Sequence, residues 1–276
     1  MKGYMRRNKL KKYYSIFMLG FENALEYRGN YAINLISVFF SIMMQYFVWT
    51  AVFTGKAEGE RIFGLTYAEA IIYTLCAGFV AKLISTGCHH QISQDIKGGT
   101  LNQFLVQPIK YVVYQVFRSF GEKILEMLIV FTILLVFIFV VAPGMGMSVE
   151  FNGIGMFLIA FIPAMILNFL IFLSVSMLAF WIVEVGRLYS IIDILVAIVS
   201  GSIFPLSIFG DKVSHIFEFL PFTYTTYFLT NTLNGSVDIY SFVRGIFIQI
   251  AWIALFFIIC KMTWFAGLKK YAAVGG

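Results

Sequence analysis

Charge is scarce in this sequence. Only 12% of its 276 residues are Asp, Glu, Lys or Arg, while 60% are hydrophobic and 18% aromatic. A water-soluble chain of this size scatters charge over the outer face of every helix. Here the charges gather in a few short stretches instead. Cysteine is scarce as well: Cys76, Cys88 and Cys260 show no paired spacing, which argues against a disulfide framework and leaves them as unbridged packing residues. With three histidines, metal catalysis has little to draw on. No glycine-rich loop ends in Lys and Ser or Thr. Gly55-Lys56 is followed by Ala57 and lacks the upstream glycine, so no P-loop for ATP is expected. No Ser/His/Asp or Cys/His arrangement stands out. The basic N-terminus is not followed by a short apolar run with a small-residue cleavage site, so the first apolar run is expected to be an uncleaved anchor.

What the chain has is six apolar runs, at 31–54, 67–87, 116–141, 157–181, 188–208 and 242–262. Most reach about 20 residues, the length that crosses a bilayer as a helix. They are continuous and not alternating, which favours helices over the strands of a membrane barrel. The expected fold class is all-α, a single polytopic membrane domain with six transmembrane helices. Lys and Arg set the orientation. With the N-terminus inside, only Lys56, Arg61, Lys212 and Arg244 of the 20 basic residues face outward. Six spans then put both termini in the cytoplasm. The net charge of +6 follows from basic residues held beside anionic lipid and does not call for nucleic acid.

Two stretches depart from simple spans. Residues 10–28 read as an amphipathic helix lying in the interface, with Leu10, Tyr14, Phe17, Phe21 and Leu25 on one face and Lys11, Lys12, Ser15, Glu22 and Glu26 on the other. Residues 202–228 are apolar but broken by Pro205, by Gly210-Asp211-Lys212 and by Pro221. Neither half is long enough to cross, so a helical hairpin re-entering the outer leaflet is expected, shielded by the rest of the protein. Its aromatic residues, Phe204, Phe209, Phe217, Phe219, Phe222, Tyr224, Tyr227 and Phe228, make either an aromatic belt or a lid over a pathway, with the prolines as hinges.

Few positions offer chemistry. Cys88-His89-His90 has metal-ligand side chains, but neighbours on a helix point about 100° apart and converge poorly on one ion. The plainer reading is a polar cap where the second span meets the cytoplasm. Asp193 lies one to two turns inside the fifth span and needs a partner or a wet cavity. Arg187 and Glu184 are near enough to make an ion-pair cluster there; a part in a gate or pathway is the alternative. Glu122 and Glu126, with Arg118 and Lys123, read as an interfacial charge network. Between the second and third spans, residues 91–109 form a compact cytoplasmic helix–turn–helix. Ile92 and Ile96 share a face, Gly98-Gly99 stops the first helix, and Leu101, Phe104, Leu105 and Ile109 mark a second piece around Pro108. It is either a connector on the membrane or a docking element.

The order of these pieces resembles the permease subunits of type 2 ABC exporters. The matching residues are Leu25-Glu26-Tyr27-Arg28-Gly29-Asn30, Gln94-Asp95-Ile96-Lys97-Gly98-Gly99-Thr100-Leu101, Leu105-Val106-Gln107-Pro108-Ile109, Phe180-Trp181, Ser200-Gly201-Ser202-Ile203-Phe204-Pro205-Leu206 and Leu220-Pro221-Phe222. The resemblance spans essentially the whole chain and is closest to a small bacterial branch. It implies a second six-span permease subunit, identical or paralogous, and separate cytoplasmic ATPase subunits that carry ATP and Mg, with no cofactor on this chain. It also implies residence in the bacterial cytoplasmic membrane. Gln94 to Leu101 would be the coupling helix, 10–28 the elbow helix, and Phe204, Pro205, Phe209, Pro221 and Phe222 part of the outer gate. The nearly charge-free interior favours an amphiphilic peptide, lipid or drug as substrate. An ion-coupled secondary transporter and a non-transporting scaffold or immunity protein are the competing readings.

Overall fold

The computed structural model describes residues 2–26, 28–57, 59–145, 151–182 and 185–271. The described chain is helical, with one isolated β-bridge between Ile62 and Leu65. The helices are α1 (Lys2–Glu26), α2 (Arg28–Phe53), α3 (Tyr67–Ile84), α4 (Cys88–Lys97), α5 (Leu101–Leu105), α6 (Tyr111–Val136), α7 (Phe151–Ser176), α8 (Val185–Val199), α9 (Asp211–Glu218), α10 (Tyr227–Leu233) and α11 (Ile239–Lys270). A π-helical turn (Phe137–Val141) and a 3-10 turn extend α6 to Met145, and a 3-10 turn extends α7 to Phe180.

All six expected spans fall on helices, but not all are long enough. Among the described residues, four segments have the length and composition to cross a membrane: Tyr67–Lys97, Tyr111–Met145, Phe151–Phe180 and Ile239–Lys270. The first expected span lies on α2, whose described apolar stretch is Phe39–Phe53. The fifth, expected over 188–208, stops at Val199. Ser200, Gly201 with φ of 70°, and Pro205 turn the chain there. The 15 residues of α8 reach roughly 22 Å at helical rise, short of a hydrocarbon core of about 30 Å. The structure is that of a polytopic membrane protein; among the described residues four helices are long and apolar enough to cross, beside two shorter apolar helices.

Helix starts follow their capping chemistry. Thr66 and Glu69 form a capping box at α3, with the Glu69 amide donating to Thr66 Oγ1 at 3.3 Å and the Thr66 amide donating to Glu69 Oε2 at 2.9 Å. Asp238 caps α11 by accepting from the amides of Tyr240 and Ser241.

Among the described residues the core falls into three buried clusters, the smallest of them Trp49 of α2 against Ala70 and Ile71 of α3. The first joins α3, α6, α7, α10 and the start of α11 through Val80, Leu134, Phe157, Leu229 and Phe242. The second joins α4, α5, the end of α7 and the start of α8 through Ile92, Leu101, Leu173, Met177 and Tyr189. Cys76, Cys88 and Cys260 are buried free thiols.

Helix α1 lies along the first half of α6 in the same direction. Lys12 Nζ donates to Pro108 O at 2.7 Å, Tyr13 stacks on Phe117 at 5.0 Å, and Gly121 meets the Phe17 carbonyl. A Cβ on Gly20 would collide with the Arg118 carbonyl, and one on Gly121 with that of Phe17. The two glycines thus let the backbones touch. This rotates the buried face away from the expected one. Ile16, Gly20 and Ala24 are buried, while Tyr14 and Leu25 are 64% and 46% exposed. Leu10 lies outside the described side chains. The close approach to α6 overrides the larger apolar residues in choosing which face turns inward.

The stretch at 202–228 folds as a helical hairpin of short pieces, and its return limb continues as α10 to Leu233. Several of its loose backbone groups are met by protein. Tyr73 Oη donates to Gly201 O at 2.7 Å, the Tyr227 amide to Ser200 O at 2.9 Å, Ser214 Oγ to Leu206 O at 2.6 Å, and Thr223 Oγ1 to Phe217 O at 2.6 Å. From α11, Gln249 Nε2 donates to Tyr224 O at 2.9 Å. Pro205 and Pro221 are buried, Phe204 sets its edge on Trp49 at 6.4 Å, and Phe209 packs edge-on with Phe217 at 5.4 Å. Phe222 is half-buried. Phe219, Ile216 and Phe209 look outward.

Candidate functional site

The stretch 91–109 folds as α4, a tight turn and α5. Gly98 caps α4, its amide donating to Gln94 O at 2.7 Å, and Gly99 takes φ of 77°, which glycine adopts without strain. Ile92, Ile96 and Leu101 turn inward at 0%, 4% and 0% exposure. They anchor both helices on the second core cluster.

Asp95 is the centre of the site. Its side chain is 7% exposed and accepts four hydrogen bonds. Gln91 Nε2 donates to Oδ1 at 3.0 Å and Thr100 Oγ1 to the same oxygen at 2.9 Å. Tyr111 Oη donates to Oδ2 at 2.7 Å and Gln115 Nε2 to that oxygen at 2.9 Å. No cation is needed, because four donors saturate a buried carboxylate. One donor comes from α4 itself, one from the α4–α5 turn and two from α6, so Asp95 pins the loop to the foot of that span. Gln115 also donates to Tyr111 Oη at 2.9 Å, closing the network.

The pin extends to the last helix. Tyr111 stacks on Trp264 of α11 at 5.6 Å and 6°, while Phe104 of α5 meets Tyr111 edge-on at 5.2 Å. Trp264 in turn meets Phe180 at 5.9 Å, and the Phe180 ring lies against Gly267 where no side chain fits. The loop, α6, α11 and the end of α7 therefore share one packed junction. Its outward side carries Gln94, Gly98, Thr100, Gln103 and an apolar tip in which Leu105 is 46% and Val106 85% exposed. Lys97 is half-buried.

Beside this junction lies a polar cavity of about 310 Å³ between α3 and α6. Lys82 pairs with Glu126 at 2.7 Å, Arg118 with Glu122 at 2.9 Å, and Lys123 Nζ donates to Ser85 Oγ at 2.6 Å. The charge network expected from Arg118, Glu122, Lys123 and Glu126 is present, and α3 supplies the partner that the sequence left unnamed. Asn168 of α7 closes the end of α3 by donating to Ile84 O at 2.9 Å.

Asp193 sits half-exposed on α8, with Oδ2 at 3.9 Å from His89 Nε2. The expected cluster with Arg187 and Glu184 lies outside the described side chains. At the opposite end, the hairpin, α10 and the start of α11 enclose a groove of about 980 Å³. Glu218, Asn231, Arg244 and four tyrosine or tryptophan rings are among its lining.

Of the residues singled out from sequence, the structure unites Asp95, Ile96, Gly98, Gly99, Thr100 and Leu101 in one turn and holds Phe204, Pro205, Phe209, Pro221 and Phe222 in one hairpin. Asp193 belongs to neither group. Sequence reasoning missed Tyr111, Gln115 and Trp264. The pairs Gln91/Asp95 and Tyr111/Gln115 are each four apart on a helix, which is a legible signal of neighbouring side chains. Their meeting across the loop is not.

A search of curated proteins found no match. The family model described as ABC-2 family transporter protein matches residues 39–275. That match covers most of the chain and includes both the α4–α5 junction and the hairpin. The chain therefore belongs to the ABC-2 transporter family, as a membrane permease of an ABC transporter.

Proposed function

We propose that this chain forms half of the pathway of an ATP-driven exporter, beside a second six-span permease subunit, and docks a separate cytoplasmic ATPase through α4 and α5. The observation that carries this reading is the Asp95 cradle. A loop serving only as a connector has no need of a buried carboxylate bonded to two elements, because solvated connectors satisfy their polar groups with water. A loop that receives a push must not bend under it. Bonded through Asp95 to α6 and through Tyr111–Trp264 to α11, the turn passes a displacement to two spans at once. The exposed Leu105 and Val106 offer an apolar tip for a groove on the ATPase.

At the outer end, the groove beneath the hairpin combines aromatic walls with a few polar groups. That lining suits an amphiphilic peptide, lipid or drug better than an ion or a sugar. ATP and Mg would sit on the partner, and the permease itself would be inert alone. The positive-inside distribution of Lys and Arg supports placing the α4–α5 junction and both termini in the cytoplasm, in a bacterial inner membrane.

Affinity purification from the native membrane in mild detergent, followed by mass spectrometry, tests this. A stoichiometric P-loop ATPase is the expected companion, with or without a second permease. Recovery of the chain alone, even after crosslinking, would overturn the reading.

A further inference from the structure

Where α4 begins against α8, three side chains from two helices converge. One ligand atom each from His89, His90 and Asp193 lies within 4.8 Å of the others. His89 is 7% exposed, and neither of its ring nitrogens has a hydrogen-bond partner among the described residues. Its ring is stacked on Phe172 at 4.8 Å and meets Tyr189 edge-on at 5.1 Å. The His90 ring lies 4.2 Å from it and also rests on Tyr189. Aromatic walls thus hold the two imidazoles side by side, although adjacent helical positions ordinarily diverge.

A buried imidazole with both nitrogens unsatisfied is costly, and such a group calls for a missing partner. The 3.9 Å from His89 Nε2 to Asp193 Oδ2 is too long for a hydrogen bond. It is close to the spacing of two ligands on one ion. Around a tetrahedral metal with bonds of about 2.0–2.2 Å, neighbouring ligand atoms stand roughly 3.3–3.6 Å apart. Small rotations of His90 and Asp193, both reachable from solvent, close the difference.

We propose that His89, His90 and Asp193 form a three-ligand site for a divalent transition-metal cation of the zinc class. Two imidazole nitrogens select zinc-like ions over Mg²⁺ and Ca²⁺, which prefer oxygen. The Asp193 carboxylate offsets part of the ion's charge against the positive end of α4. Three protein ligands leave a fourth position open for water. A bound ion would tie α8 to the first turn of α4 and restrain the α4–α5 junction. The site stands on its own geometry and does not depend on the ATP-driven reading.

The test uses the full chain in detergent, purified through a tag without histidine and stripped with a chelator. Zn²⁺ is then titrated against a competing fluorescent indicator. The expected result is one ion per chain with a Kd in the micromolar range or tighter, unaffected by millimolar Mg²⁺. H90Q and D193N should each weaken binding at least tenfold, and C88A should leave it unchanged. Saturating Zn²⁺ should raise the melting temperature of the wild type and not that of D193N. Absence of binding by the wild type, or binding unchanged in H90Q and D193N, would overturn the proposal.

Discussion

Asp95 shows how much one buried side chain decides in this protein. Its two oxygens receive donors from Gln91, Thr100, Tyr111 and Gln115, so its removal strands the buried Tyr111 and Gln115, which water does not reach. Asp95→Ala should cost about 2–3 kcal/mol, the scale of a charged hydrogen-bond network left half unmade. Tyr111→Phe should cost less, about 1–2 kcal/mol, because three donors remain. The two changes share one network, so their effects should fall short of additive in a double-mutant cycle read by thermal unfolding in detergent. Additive losses would mean that Asp95 and Tyr111 act separately. The sequence marked Asp95 through its place between Gln94 and the Gly98-Gly99 turn, but said nothing of its burial. A carboxylate among apolar neighbours reads as surface until the four donors are in place, and two of them lie 16 and 20 residues away. Asp193 hid its neighbour for the same reason, since His89 reaches it only through the packing of α4 beside α8.

At the scale of elements, the crossing of α1 and α6 rests on two glycines in backbone contact. Gly121→Leu forces its side chain into the Phe17 carbonyl. Overpacking of this kind typically costs about 1–3 kcal/mol and moves the helices apart. Cysteines placed at Tyr13 and Phe117, whose rings stack at 5.0 Å, should crosslink readily in the wild-type background and poorly beside Gly121→Leu. Equal crosslinking in both would remove the claim that the glycines set this approach. The start of α11 makes a separate prediction in pH. Hydrogen bonding to Ser241 and to the Tyr240 amide holds the Asp238 carboxyl below its ordinary value of 3.8. The native state binds this proton more weakly than the unfolded one. The cap therefore helps at pH above 3.8, and its help fades as pH falls through the lowered native value. Amide exchange at Tyr240 and Ser241, compared with the middle of α11 after correction for intrinsic rates, should show selective loss of protection in acid, and Asp238→Ala should show it at neutral pH. Acid-insensitive protection in the wild type would contradict the cap. Length and apolar runs made the long helices legible, and Gly98-Gly99 marked the end of α4; the caps at Thr66 and Asp238 came from the structure. The end of α8 was not legible, because Ser200-Gly201-Ser202 continues an apolar stretch while its glycine turns the backbone. The inward face of α1 was misjudged because periodicity weighs large apolar residues and overlooks glycine.

For the whole molecule, the two ends differ in kind. One end carries the bonded α4–α5 junction, the ion-paired cavity and the proposed metal site. The other carries the hairpin and the aromatic groove beneath it. Placing a charge in that groove, as Trp252→Asp, should impair export of an amphiphile while leaving ATPase association intact; loss of association would mean that the groove is part of assembly. The central claim is that the α4–α5 tip meets an ATPase. The most direct test places a photocrosslinking residue at Val106, 85% exposed, and in a second protein at Phe219, 75% exposed on the hairpin. Both are irradiated in the native membrane and the products identified by mass spectrometry. Capture of a P-loop ATPase from position 106 and not from position 219 is the predicted result. Capture from position 219 alone, or lipid adducts alone at position 106, would contradict the account.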